Sequence, residues 1–193
     1  QLESRMRVLS RDLLPVADEV DLDHAFDLVK RFKELHPEFL NITFMREDGQ
    51  ILFTAKNPPG PDMPTLAKEP SFLRFKEELQ EKQPLNIGRP LLSLINKEWI
   101  IPLRYQVKTD DAKLAYLISA NLAVGMLADF WREAPFTKKA ALGLIRDDGF
   151  LVARYPVPAQ LQMDEIYGKP RMGALIKYLQ QKGFPSRGFI EGP

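Results

Sequence analysis

The residues best suited to chemistry stand close together. In the segment from Ile87 to Val107, IGRPLLSLINKEWIIPLRYQV, the side chains Arg89, Trp99, Arg104 and Tyr105 sit in a strand-like and otherwise apolar stretch, where burying them is costly unless they are used. Strand alternation puts Trp99, Ile101, Leu103, Tyr105 and Val107 on one face and Ile100, Pro102, Arg104 and Gln106 on the other. A guanidinium at the edge of an aromatic wall suits a carboxylate or another small anionic metabolite, because its fork donates two parallel bonds while the rings exclude water. The same pattern also fits Trp99 and Tyr105 as core residues with Arg104 solvated. Ser119 and Asn121, in the neighbouring run Leu114 to Leu122, either line such a cavity or mark the solvent side.

Other chemistries find little material. The chain has no cysteine, so disulfides, thiolate nucleophiles and thiolate metal sites are excluded together. His24 and His36 are the only imidazoles, and both fall in a charge-rich, helix-like stretch that suits solvated or capping roles. The eleven glycines form no phosphate-binding loop, and no Gly-x-Ser-x-Gly elbow occurs. Asp110-Asp111 and Asp147-Asp148 lie in tight turns, where Asp serves its own backbone. No metal or cofactor is expected. Twenty-seven Lys and Arg against 26 Asp and Glu leave a net charge of +1, too small a field to hold nucleic acid or anionic lipid.

The elements that must position these side chains follow from periodicity. At 193 residues, 45% hydrophobic and 27% charged, the chain can bury a core in one ordinary domain or two small ones. Leu2, Met6, Leu9 and Leu13 form a helical stripe suited to packing or to self-association, interrupted at Pro15. Leu22, Phe26, Val29, Phe32 and Leu35 form a second stripe, with Asp21 or Asp23 placed to cap it. The spacing then changes to strand type at Ile42 and Phe44 and, past Glu47-Asp48-Gly49, at Ile51 and Phe53, which reads as a hairpin. A proline-rich loop leads to a helix over 72–82, followed by strands over 91–95, 99–107 and 114–122. The run Leu114 to Leu127 is too short to span a bilayer, which takes roughly 20 residues, and reads as a strand entering a helix. No signal peptide is visible at the start.

The chain then repeats itself. LGLIRDDGFLVARY, from residue 142, echoes ITFMREDGQILFTA, from residue 42, so that Arg146, Asp148 and Gly149 fall 100 positions after Arg46, Asp48 and Gly49. A loop with Pro156 and Pro158, a helix over 171–182 and a strand-like tail over 187–190 follow. A second module therefore begins but lacks the residues for its own three-stranded meander, which predicts an incomplete second sheet.

Taken together, the N-terminal helix, ITFMREDGQILFTA, a helix ending before IGRP, the strands around EWIIPLRYQV and KLAYLISANL, Phe130-Trp131 and LIRDDGFLVARYP resemble double Cache domains. These PAS-like extracytoplasmic sensors, also called PDC domains, occur in bacterial diguanylate cyclases and phosphodiesterases, histidine kinases and chemoreceptors. The resemblance implies an α+β fold, with a long N-terminal helix on two PAS-like modules with antiparallel sheets. It also implies a helical segment over 1–40, a membrane-distal module over 41–130 and a partial membrane-proximal module over 131–193. Such domains sit between two membrane helices, so transmembrane segments are expected on either side of this chain, with an output domain beyond. The amino-acid-binding subset uses a tyrosine, an arginine, a tryptophan, a tyrosine and an aspartate in set order, which Arg89, Trp99, Arg104 and Tyr105 match only in part, so amino-acid binding is not carried over. The expected function is non-catalytic sensing of a small molecule in the periplasm, with the stripe of the N-terminal helix expected first as core packing and second as the contact of a homodimer. The competing expectation is a dimerisation module with a closed core; an enzyme built on a carboxylate pair ranks last.

Overall fold

The structure is a computed structural model that describes residues 2–13, 21–79, 84–93, 97–108, 114–132, 141–171 and 173–183. It divides into two compact units, one formed by Gln1–Gly88 with Ile101–Ala123 and the other by Arg89–Ile100 with Val124–Pro193.

The first unit opens with helices α1 (Leu2–Leu13) and α2 (Leu22–Leu35). Met6, Leu9 and Leu13 are buried, so the described part of the first stripe packs inside its own unit and is not a free surface. Asp21 caps α2, its carboxylate accepting from the Asp23 and His24 amides at 3.1 Å. His36 is the C-cap residue of that helix. Val29 follows the expected stripe into the core, whereas Leu35 is 77% exposed, because the helix end runs past the apolar surface it covers.

Six strands form the first sheet: β1 (Phe39–Arg46), β2 (Ile51–Thr54), β3 (Leu85–Ile87), β4 (Leu91–Leu92), β5 (Trp99–Lys108) and β6 (Leu114–Ala123). They run in the order β2-β1-β6-β5-β3, with β4 also paired to β5. The hairpin expected at Asp48-Gly49 is present: the Gly49 amide donates to the Arg46 carbonyl at 3.0 Å, with Gly49 at a φ of 91°. The sequence periodicity missed β3, which is only three residues long and lies between Pro84 and Gly88.

Each face of this sheet has its own cover. Phe44 stacks on Phe53 at 5.1 Å, and Phe26 of α2 meets Phe53 edge-on at 5.9 Å, so these side chains point toward α2. On the other face Met45, Ile51 and Leu117 cluster with Phe72 and Phe75 of α3 (Pro70–Glu78). Burying each of those rings stabilises the fold by about 1.5–3 kcal/mol. Residues 100–107 of β5 are buried on both sides, as a covered inner strand requires.

In the second unit α4 (Val124–Arg132) continues directly from β6 and packs on β8 (Leu151–Tyr155), the partner of β7 (Leu142–Ile145). This β7–β8 hairpin copies the first one. Gly149 has a φ of 86°, its amide donates to the Arg146 carbonyl at 3.0 Å, and the register shifts between Leu144 and Ile145 as it does between Phe44 and Met45. In each copy the turn glycine's carbonyl also receives a later amide, from Leu66 at 2.9 Å in the first and Arg171 at 2.7 Å in the second. Helices α5 (Met163–Tyr167) and α6 (Ala174–Gln181) follow. The strand expected over 187–190 lies outside the described residues. Among the described residues no helix is long and apolar enough to cross a membrane.

Candidate functional site

One face of the first sheet carries polar groups in an otherwise apolar interior. Across β1 and β6 the register pairs Met45 with Leu117, Thr43 with Ser119 and Asn41 with Asn121. Residues paired in register project to the same side. Since Met45 and Leu117 pack against α3, the pairs two and four positions along point the same way. Thr54, paired with Thr43, joins them. Arg104 reaches α3 from β5, and alternation brings Gln106 to the same side.

Seven polar or charged residues are buried among the described ones, and Thr43, Thr54, Arg104, Gln106 and Ser119, five of the seven, share this face. Thr54 has a local reason, since its hydroxyl accepts from the Lys56 and Asn57 amides at 3.2 and 3.1 Å. Arg104 is the sole charged member of the set and is 3% exposed.

The Arg104 guanidinium is partly engaged. Nη1 donates to the Ser71 carbonyl at 3.2 Å and Nη2 to the Ser71 hydroxyl at 3.1 Å, at the start of α3. Its carbon lies 5.3 Å from the centre of the Phe75 ring, a cation–π distance. Nε is buried with no hydrogen-bond partner, as are Oδ1 of Asn41 and Oδ1 of Asn86. Asn86 faces Arg104 across β3 and β5 and donates from Nδ2 to Glu78 at 3.2 Å. Burial pulls the Arg104 pKa down to about 10, against the field of Glu78, which raises it. The group therefore keeps its charge at neutral pH, in a setting where an unmet N–H is costly.

The six residues expected from the sequence are thus sorted. Arg104, Ser119 and Asn121 share the polar face. Tyr105 projects from β5 to the opposite face, beside Arg104 in sequence but across the sheet from it. Arg89 and Trp99 belong to the second unit. Arg89 donates from Nε to Asp148 at 2.8 Å and lies 4.4 Å over the Phe150 ring, while Trp99 sits 6.3 Å from Tyr167. The sequence reading did not single out Asn41, Thr43, Ser71 or Glu78. For the first two a signal was present: polar residues at alternate positions of NITFM mark one face of an apolar strand.

Two surface recesses lie elsewhere in the first unit. A cleft of about 430 Å³ beside the first hairpin is lined by Arg46, Glu47, Asp48 and Lys76, among others, and Lys76 is paired with Glu47 at 3.1 Å. A groove of about 400 Å³ between α1 and α2 is lined by Val8, Leu9, Leu28, Phe32 and Leu35, with charged residues at its rim. Among the described residues no cluster of three or more acidic or histidine side chains could hold a metal ion.

No family model matches the chain and no curated protein matches its sequence. Solved structures do. The extracellular domain of rpHK1S-Z16, described as a histidine kinase, is 15% identical with a TM-score of 0.59, over 80% of this chain and 63% of that one. The ligand-binding domain of the Campylobacter jejuni chemoreceptor Tlp3, solved with L-norvaline, is 14% identical with a TM-score of 0.60, over 84% of this chain and 65% of that one. The ligand-binding domain of the Pseudomonas aeruginosa PAO1 amino-acid chemoreceptor PctC, solved with GABA, is 14% identical with a TM-score of 0.58, over 89% of this chain and 76% of that one. The chain spans less than two thirds of the length of the first two. At these identities the likeness establishes the fold, which is the α+β architecture that the resemblance to double Cache sensor domains led us to expect.

Proposed function

We propose that this chain is the extracytoplasmic ligand-sensing domain of a bacterial transmembrane signalling protein, and that a small metabolite with an anionic group binds on the polar face of the first sheet. The observation that carries this reading is the buried Arg104, whose Nε has no partner, on a face shared with Thr43, Gln106 and Ser119. A core closed for stability alone has no use for an unmet charged donor, because each such group costs free energy that an apolar side chain would not. A ligand carboxylate supplies the missing acceptor. The fold neighbours, sensor domains solved with small molecules in two of the cases above, support a binding role.

In this reading the first unit is the membrane-distal module and the second the membrane-proximal one. Arg104, Ser119 and Asn121 contact the ligand; Tyr105, Arg89 and Trp99 support the fold. The domain performs no chemistry. Occupancy shifts the balance between two packings of the N-terminal helices, and the signal passes to an output domain of the cyclic-di-GMP, histidine-kinase or chemoreceptor type.

A thermal-shift screen over organic acids, amino acids, polyamines and purines tests this. A true ligand raises the melting temperature with the logarithm of its concentration above Kd, adding about 2.7 kcal/mol of stability at a hundred times its Kd. Arg104→Ala should abolish that response. If the ligand still shifts Arg104→Ala fully, the polar face is not the site.

A second reading, self-association, is favoured by the groove between α1 and α2, where Val8 is 45% and Leu35 77% exposed. Sedimentation should then show a dimer that Leu35→Asp dissociates without unfolding the chain.

A further inference from the structure

We propose that the polar face selects ligands carrying a single carboxylate, bound along the Nε edge of Arg104 while Ser71 holds the far end of the guanidinium and Glu78 turns away a second negative charge. This rests on the reading that the polar face is the ligand site.

A guanidinium offers five N–H bonds in a fixed plane, and a carboxylate takes two that run parallel. At Arg104, Nη1 and Nη2 each already donate to Ser71, one to its carbonyl and one to its hydroxyl, so the end of the fork is turned toward α3. Nε is the buried nitrogen without a partner, so the edge formed by Nε and its neighbouring Nη is where an incoming acceptor finds an unmet bond. Ser71 is therefore a positioning residue, because it fixes the rotation of the plane and leaves that edge presented to the sheet. Phe75 covers one side of the same plane.

Glu78 sets the charge limit. It lies one turn along α3 from Phe75, accepts from Asn86 at 3.2 Å and acts electrostatically on Arg104. The cation that would receive a ligand is thus partly compensated already. One carboxylate in direct contact still binds, since it adds charge-assisted hydrogen bonds that the field of Glu78 on Arg104 does not supply. A second carboxylate meets repulsion instead, and Arg104 is the one charged side chain in the buried set among the described residues.

The test follows the side-chain Nε–Hε resonance of Arg104 and the amides of Thr43 and Ser119 by NMR on the ¹⁵N-labelled chain, with propionate, propionamide and succinate at matched ionic strength. Propionate should shift Arg104 saturably, with an apparent Kd about tenfold below that of propionamide or succinate, the factor that one charge-assisted bond supplies. Glu78→Gln should bring succinate to within about threefold of propionate, and Ser71→Ala should weaken propionate about tenfold and broaden the Arg104 resonance, with Ser71→Thr restoring both. Succinate binding as tightly as propionate to the parent chain would overturn the proposal, as would an unchanged preference in Glu78→Gln. If an uncharged compound binds this face and carboxylates do not, the inference falls and the sensor reading stands. If no probe and no compound of the wider screen moves any of these resonances, both fall.

Discussion

In the proposed reading Arg104 serves recognition at the expense of stability. Its charge is buried and its pKa is depressed to about 10 by desolvation, with Glu78 opposing, so the fold would be at least as stable with an apolar stem in its place. Arg104→Met should leave the ligand-free chain unchanged or raise its stability by up to about 2 kcal/mol in urea melts, while removing the ligand response. A loss of more than about 3 kcal/mol would mark Arg104 as a structural support. The opposite case is Asp148. Burial pushes its carboxyl upward, but hydrogen bonds from Arg146 and Arg89 and from the Phe150 amide outweigh that and hold it below the ordinary 3.8. A carboxyl depressed in the folded state contributes stability that is present above the unfolded value and lost as pH falls through the folded one. The second unit should therefore weaken from about pH 4 downward. Asp148→Asn should cost about 1 kcal/mol at pH 7 and flatten that slope, as urea melts at pH 7 and pH 3 will show.

Elements were legible where local rules decide them, and illegible where distant segments do. Asp21, the Asp-Gly turns and the stripe on α1 fixed caps, hairpins and helix faces, because each depends on residues within four positions of one another. The insertion of β6 between β1 and β5 could not be read that way: it joins Phe39–Arg46 to Leu114–Ala123 across some seventy residues. The same ordering brings Thr43 beside Ser119, so three of the six expected site residues came together, while Arg89 and Trp99 joined another unit. Helix α5 is hard to read from sequence because its capping box is built on Gln162, whose backbone amide donates to the Glu165 carboxylate at 2.9 Å, in place of the usual Ser or Thr. The burial of the α1 stripe has a direct consequence. Leu9→Asp should unfold the chain, whereas Val8→Asp, one residue away and half exposed, should change stability by no more than about 0.5 kcal/mol. Glycines divide in the same manner. A methyl group on Gly149 would lie 2.9 Å from the Arg171 carbonyl at a positive φ, so Gly149→Ala should cost about 1–3 kcal/mol. Gly125, in α4 with open space around it, should gain about 0.5–1 kcal/mol on the same change, and thermal melts of the pair discriminate.

The molecule as a whole is a duplication whose halves share a scaffold more closely than a surface. Its chain path interleaves them, since Arg89–Ile100 leaves the first unit for the second and β5 returns. Cutting after Ala123 should therefore leave Arg89 without Asp148 and Trp99 without Tyr167, and the Trp99 emission should move to the red. The two hairpins keep the same turn, the same shifted register and the same glycine carbonyl latching a later loop. Yet where the first copy has Asn41 and Thr43, the second has Ala141 and Gly143. The fastener is common to both copies and the polar pair is not. Positions 41 and 43 thus differ between the copies while the turn that closes each hairpin stays the same, so substitutions there should leave that fastener intact.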